Sequence, residues 1–283
     1  MNQDMMNPDS ARVHDQGYRP FDGKLGSVRT RFWPIAMNEL RLSFRNKWFK
    51  RLAWVSFFPL GIFSVLVLVR HSIESMLGPA QVWQNFWKTQ LLFAVVAAYF
   101  TGRRAVGEDL RSGALTMYFS RAVDFKQYLL GKWLAVALSM GGVLLGPGLL
   151  LVFFSAAMDP DLSVWTALFW GVSLVFLALL FSLAAGWVVL AISSVVGRGR
   201  AAGIIWVVVY FASSAASVAM ASSLNMQDLL SIGMGQGSMR LANELFSQKP
   251  DVTAALFAAI GQVAWAFLGA LVVLLRLSKW RRL

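Results

Sequence analysis

Apolar and polar residues are sharply segregated along this chain. Six stretches are almost free of charge: 52–69, 86–102, 133–157, 165–191, 202–222 and 252–275. A run of about 20 apolar residues is what a helix needs to cross the hydrocarbon core of a bilayer. The first stretch has 18 residues and no charge, and at ~1.5 Å per residue it reaches ~27 Å. The second carries Lys88 near one end, where a long side chain can snorkel to the interface. The third contains Gly146-Pro147-Gly148, a combination that weakens or bends a helix because proline donates no backbone hydrogen bond. The fourth is the longest and is expected to tilt or to run into the aqueous phase. Lipid offers the backbone no partners, so all six are expected to be helices. The pattern predicts an all-α polytopic membrane protein with a six-span domain over residues 52–283.

Two shorter amphipathic patterns lie outside the spans. Over residues 30–51, Trp33, Ala36, Met37, Leu40, Phe44 and Trp48 recur at helical spacing, with Glu39, Arg41, Arg45, Asn46 and Lys50 falling largely between them. This reads as an interfacial helix lying on the inner leaflet; a helix packed on other cytoplasmic protein has the same pattern. Over residues 107–121, Leu110, Ala114, Leu115 and Tyr118 make one apolar face of a short helix. Glu108 and Asp109 stand at its N-terminal end, where the helix dipole favours acids. Such a face suits a partner's groove or packing against the chain's own bundle. Residues 1–29 are polar, with scattered Pro, Gly and Asp, and read as a leader. The connection 223–251 carries Leu229, Leu230, Ile232, Met234, Met239, Leu241, Leu245 and Phe246, and is expected to form short helices capping the bundle or resting in the outer leaflet. Its Gly233-Met-Gly235-Gln-Gly237 lacks the Lys-Ser/Thr of a phosphate loop and reads as a flexible connection.

Composition sharpens this picture. Hydrophobic residues make up 57% of the 283 and charged residues only 14%, against about 25% charged in a soluble domain. That excludes a pair of soluble domains, a disordered chain and a soluble nucleic-acid binder, and the absence of Cys excludes a disulfide scaffold. Lys and Arg total 26 against 14 Asp and Glu, a net charge of +12. Ten of the basic residues precede the first span, six lie between the second and third, two between the fourth and fifth, and four follow the sixth; the opposite side has four. By the positive-inside rule both termini are cytoplasmic, as expected of a multi-pass protein of a bacterial inner membrane. Segment 1–51 lacks the apolar core of a cleavable signal, so the first span is read as retained.

The sequence also lacks the usual chemistry of an enzyme. Gly23-Lys24 is followed by Leu25 and Gly131-Lys132 by Trp133, so neither is a nucleotide loop. His14 and His71 are the only histidines, and both lie outside the spans. Apart from Lys88, no charge sits within a predicted span. Gln262, near the middle of the sixth, either lines a path or bonds a neighbouring helix. Ala212, Ser213, Ala215, Ala216 and Ala219 in the fifth span, and Gly142-x-x-x-Gly146 in the third, permit close helix approach, with packing inside the chain expected ahead of a dimer seam.

The connection 102–132 is the most informative segment. It contains, in order, Gly107-Glu108, Gly113-Ala114-Leu115, Ser120-Arg121-Ala122-Val123 and Tyr128-Leu129-Leu130-Gly131-Lys132. This resembles the membrane-spanning permease subunit of type-2 ABC exporters, whose members show Gly-Glu, Gly-Thr-Leu, Ser-Arg-Pro-Val and Tyr-Leu-Leu-Gly-Lys between spans two and three. Ala114 and Ala122 depart from the usual Thr and Pro. Arg198-Gly199-Arg200 is similar to the family's short basic loop, and Tyr18-Arg-Pro20-Phe-Asp22-Gly23 resembles the leader of one branch. The specific motif covers about thirty residues, while the six-span layout covers the chain.

The resemblance implies a subunit that pairs with a second permease copy and with separate ATP-binding subunits, which bind ATP and Mg. This chain would hold no cofactor and catalyse nothing. Gly107, Glu108, Asp109, Gly113, Leu115, Tyr118 and Arg121 would form a coupling helix docked on the ATPase, and Arg198 and Arg200 a second contact. The competing expectation is a membrane anchor that docks a cytoplasmic protein without moving a solute.

Overall fold

A computed structural model describes residues 30–69, 78–120, 124–159, 162–247 and 249–278. Among them it contains helices and no strand. In chain order these are α1 (Phe32–Arg45), α2 (Lys47–Val55), α3 (Phe58–Val69), α4 (Pro79–Gly102), α5 (Gly107–Ser112), α6 (Ala114–Ser120), α7 (Phe125–Met158), α8 (Val164–Val196), α9 (Gly199–Leu224), α10 (Met234–Leu245) and α11 (Val252–Ser278), with a 3₁₀ turn at Gln227–Ile232. The leader 1–29, Arg121 and the tail beyond residue 278 lie outside the described residues.

Among the described residues, five segments are long and apolar enough to cross a membrane: Lys47–Val69, α7, α8, α9 and α11. The all-α, membrane-embedded character expected from the sequence therefore holds. The predicted second span lies within α4, which does not meet that standard. Its first half carries Gln81, Gln84, Asn85, Lys88 and Gln90. Two of these side chains donate inside the protein: Gln84 Nε2 to the Asn243 carbonyl at 3.2 Å and Gln90 Nε2 to the Ser56 carbonyl at 3.0 Å, while Gln90 Oε1 is buried with no partner among the described residues. The indole of Trp87 donates to Ser238 Oγ at 3.2 Å. Trp87, Leu91, Ala94 and Ala98 of α4 are fully buried.

The first span differs from the single helix expected. It is interrupted at Ser56–Phe57, between α2 and α3. Pro59 explains the break, since it lacks the N–H that would reach the carbonyl four residues back. The helix expected over 30–51 is likewise divided at Asn46, whose side chain accepts from Trp48 N at 3.0 Å and caps α2. Helix α1 packs along α7. Gly131 makes that approach possible: a Cβ there would stand 2.7 Å from the Phe32 carbonyl oxygen. Trp33, Leu42 and Phe44 remain about half exposed on the outer side of α1.

Helix α8 is the central pillar, packed against α7 on one side and α11 on another. Small residues set the close approaches: a Cβ on Gly269 of α11 would stand 2.6 Å from the Trp187 backbone of α8. Helix α7 runs unbroken through Pro147 for 34 residues, ~51 Å at ~1.5 Å per residue. It begins at Phe125, earlier than the expected start of the third span, and so draws Lys132 into the helix.

At the end of the bundle opposite to the arginine-rich turns, the 3₁₀ turn and α10 form a packed cap. Met234, Leu241, Ala242 and Phe246 are buried there, and Trp83, Trp170 and Phe246 cluster with ring centroids 5.5–6.4 Å apart. The glycine string is not a flexible connection. A Cβ on Gly235 would meet Ser214 Oγ at 2.6 Å, and one on Gly237 the Ser231 carbonyl at 2.7 Å. These glycines are small so that α10 can lie against α9 and the 3₁₀ turn. The small residues of α9 behave differently again: Ala212, Ala215, Ala216 and Ala219 face outward rather than into the bundle, and Gly142 has open space around it.

Candidate functional site

The segment between α4 and α7 forms an elbow of two short helices, α5 and α6. One helix over 107–121 was expected; Gly113 divides it, at φ +71°. That left-handed conformation costs a residue with a Cβ ~1–2 kcal/mol and glycine almost nothing. Gly107 begins α5 under a different constraint. A Cβ there would lie 2.5 Å from the Ser193 carbonyl oxygen and 3.0 Å from Gly197 Cα. Its backbone N–H donates to Ser193 Oγ at 3.1 Å, and that hydroxyl donates to the Arg103 carbonyl at 3.2 Å. The elbow is thereby fastened to the last turn of α8.

A buried charge cluster fastens it on the other side. Lys132 Nζ lies 2.5 Å from Glu39 Oε1 of α1 and 2.7 Å from Asp109 Oδ2 of α5. The lysine side chain is 2% exposed, and the two carboxylates 18% and 17%. Tyr128, one turn earlier on α7, donates its hydroxyl to the same Asp109 oxygen at 2.8 Å. The ammonium also lies 5.6 Å from the Tyr128 ring. Two carboxylates and one ammonium leave a net charge of −1, stabilised by the phenol hydrogen bond and by residual exposure at the rim. A polar recess of about 330 Å³ between α1 and the elbow, lined in part by Ser43, Asn46 and Arg103, opens beside the cluster.

The sequence-predicted residues divide in two. Leu115 is 2% exposed and belongs to the main hydrophobic core, so its side chain is already packed within this chain. Tyr118 packs on the same core, its ring centroid 5.4 Å from that of Tyr128. The apolar face of the elbow is therefore turned inward. Facing outward are Glu108, Arg111, Ser112 and Thr116. Glu108 stands at the start of α5 as expected and is 3.8 Å from Arg104, with both side chains more than half exposed. Asp109, expected to act with the helix dipole, is instead committed to Lys132 and Tyr128.

Arg198 and Arg200, far from the elbow in sequence, are brought beside it. The turn between α8 and α9 passes through Gly197 at φ +67°, and a Cβ on Gly199 would meet Arg104 Cγ at 2.7 Å. Together they form an open cleft of about 660 Å³ lined by Arg104, Glu108, Arg111, Ser112, Arg198 and Arg200. Gln262 lies elsewhere, buried in α11, where its Nε2 donates to the Met234 carbonyl at 2.8 Å and holds the cap. Its Oε1 is buried with no partner among the described residues.

The sequence pattern does not mark Lys132, Glu39, Tyr128 or Ser193 as site residues, although Tyr128 and Lys132 lie in the resembling motif. One signal was available: Glu39 is the only acidic residue in the strongly basic segment 30–51. Among the described residues no group of three His, Cys, Asp or Glu is placed to hold a metal ion. The arrangement is a short elbow, polar on its exposed face, tied to α1, α7 and α8. Compared with known proteins, the chain matches no family model and no curated protein.

Proposed function

We propose that this chain is the membrane-spanning permease subunit of an ATP-driven exporter of the type-2 ABC class, with α5 and α6 as the element on which a separate ATP-binding subunit docks. One observation carries the reading: the residues of the resembling motif have definite mechanical tasks at one place. Gly107 permits contact with α8, Gly113 makes the turn, and Asp109, Tyr128 and Lys132 tie the elbow to α7 and α1, while Gly131 admits α1 against α7. An element so fastened passes a displacement to three membrane helices at once. ATP and Mg belong to the partner, whose closure on nucleotide pushes the elbow, and this chain hydrolyses nothing itself.

In this reading α4 is also a span, the second in chain order, and brings the number to six, its polar half shielded by α10 and by the turn at Ser56. The basic end of the bundle, both termini included, faces the cytoplasm of a bacterium. A second permease copy completes the translocation unit, and the outward-facing alanines of α9 suit close contact between copies. Leu115 supports the elbow from within, so the docking surface consists of Glu108, Arg111, Ser112, Thr116 and their neighbours.

The test is affinity purification of the chain from its native membranes, with identification of any ATP-binding subunit that co-purifies. Ser112→Trp and Thr116→Trp place bulk on the outer face of the elbow. Both are expected to abolish co-purification and transport while leaving the thermal midpoint of the isolated chain unchanged. Retention of the ATPase by both variants would refute the docking assignment. Co-purification of the parent chain without stimulated ATP turnover would favour an anchoring role over transport.

A further inference from the structure

We propose that the turn between α8 and α9 carries a binding site for an anionic phospholipid, with the lipid phosphate held by arginines of the basic cleft and an acyl chain lying in an apolar groove that begins at the same turn. The cleft presents four guanidinium groups, those of Arg104, Arg111, Arg198 and Arg200, against one carboxylate, Glu108. Glu108 is engaged only at 3.8 Å by Arg104. Arg111, Arg198 and Arg200 are exposed and have no acidic partner among the described residues. The 26-residue helix α9 also starts here without a side-chain cap, so first-turn N–H groups add positive potential to that of the arginines. Guanidinium forks bind phosphate oxygens in pairs, which an isolated ammonium does not.

The second observation separates a lipid from a soluble anion. A groove of about 300 Å³, with a wholly apolar lining, runs between α8, α9 and α11 past Ile192, Val195, Ile205, Val209, Leu268 and Val272. Val195 and Val196 form its rim, and Gly197, the next residue, lines the cleft. The change from groove to cleft coincides with the ends of two membrane-length helices, where the phosphates of a leaflet lie. Basic pockets between helices at that level take up anionic headgroups, and each arginine there strengthens attraction to an acidic leaflet. No aromatic side chain lines the cleft to stack on a nucleotide base. A free phosphate would leave the groove unused. The cleft shares Glu108, Arg111 and Ser112 with the proposed docking surface, but lipid retention is read on the chain alone, so its failure is separable from failure of docking.

The experiment uses the full chain purified in detergent without any partner. Retention of palmitoyl-oleoyl phosphatidylglycerol is measured by native mass spectrometry, beside the matching phosphatidylcholine, dihexanoyl phosphatidylglycerol and inorganic phosphate. The parent chain is expected to prefer phosphatidylglycerol over phosphatidylcholine by about tenfold, the scale expected from two or more arginines near a phosphate. Arg198→Gln/Arg200→Gln is expected to abolish that preference, while its lipid-free thermal midpoint matches the parent. Val195→Trp, which obstructs the groove rim, is expected to weaken the long-chain lipid several-fold and to leave the dihexanoyl lipid unaffected. Equal retention of the two headgroups by the parent, or an unchanged preference in the double variant, would overturn the proposal. Full competition by inorganic phosphate at millimolar concentration, with no effect of Val195→Trp, would also overturn it and identify a soluble-anion site instead.

Discussion

Lys132→Met tests whether the buried charge cluster holds the elbow in place. Methionine keeps most of the volume and removes the ammonium. Both acceptor oxygens lie within 2.7 Å of Lys132 Nζ, so in the variant the two carboxylates stand at most about 5 Å apart. At an effective dielectric near 20 their repulsion is ~3 kcal/mol. Breaking a buried ion pair costs roughly 3–5 kcal/mol when the remaining charge is trapped. Here the carboxylates are 17–18% exposed, and Tyr128 still donates to Asp109, so the low end, about 3 kcal/mol, is expected. On the scale measured for soluble domains this is a fall of roughly 6–12 °C in thermal midpoint, readable from tryptophan fluorescence of the detergent-solubilised protein. The triple variant Lys132→Met/Glu39→Met/Asp109→Asn removes all three charges and keeps a hydrogen-bond acceptor for Tyr128. It is expected to regain most of the loss, because neutral replacements of buried ion clusters are close to isoenergetic with them. A single variant within about 2 °C of the parent, or a triple variant no better than the single, would refute the assignment of the cluster as a structural tie.

Gly107→Ala is expected to cost about 1–3 kcal/mol, because its methyl would press on backbone atoms of α8 that cannot rotate away; Gly61→Ala, with open space around it, is the control and should leave the thermal midpoint unchanged or raised. Gln262→Leu should cost about 1–2 kcal/mol through loss of the hydrogen bond to Met234 and loosening of the cap, and a large loss of transport at unchanged stability would return Gln262 to a path-lining role. For topology, a cysteine replacing exposed Met226 should react with an impermeant thiol reagent in intact cells and one replacing Ser10 should not; the opposite pattern would invert the orientation.

Several features followed from local composition alone. Membrane embedding and helical class were legible because lipid imposes one rule on every residue of a span: no charge, and a backbone satisfied within its own helix. The runs at α7, α8, α9 and α11 obey that rule independently of their neighbours. Gly107, Gly113, Tyr128 and Lys132 were legible as parts of a motif, though their tasks were not. What local composition leaves open is whatever depends on a partner distant in sequence. Helix α4 departs from the composition rule, and two of its glutamines donate to the carbonyls of Asn243 and Ser56, which no local window contains. Leu115 has the spacing of a docking face, but periodicity reports only that a face is apolar, not whether the protein's own core or another chain covers it. The glycines near 235 had the composition of a flexible loop, yet rigid packing against α9 demands the same small residue. The alanines of α9 were expected to face neighbours and instead face outward, since small size permits close contact without specifying which helix makes it. Lys132 is a loop cation by sequence and a buried tie in the fold, because only the tertiary structure brings Glu39, 93 residues away, and Asp109 to the same ammonium.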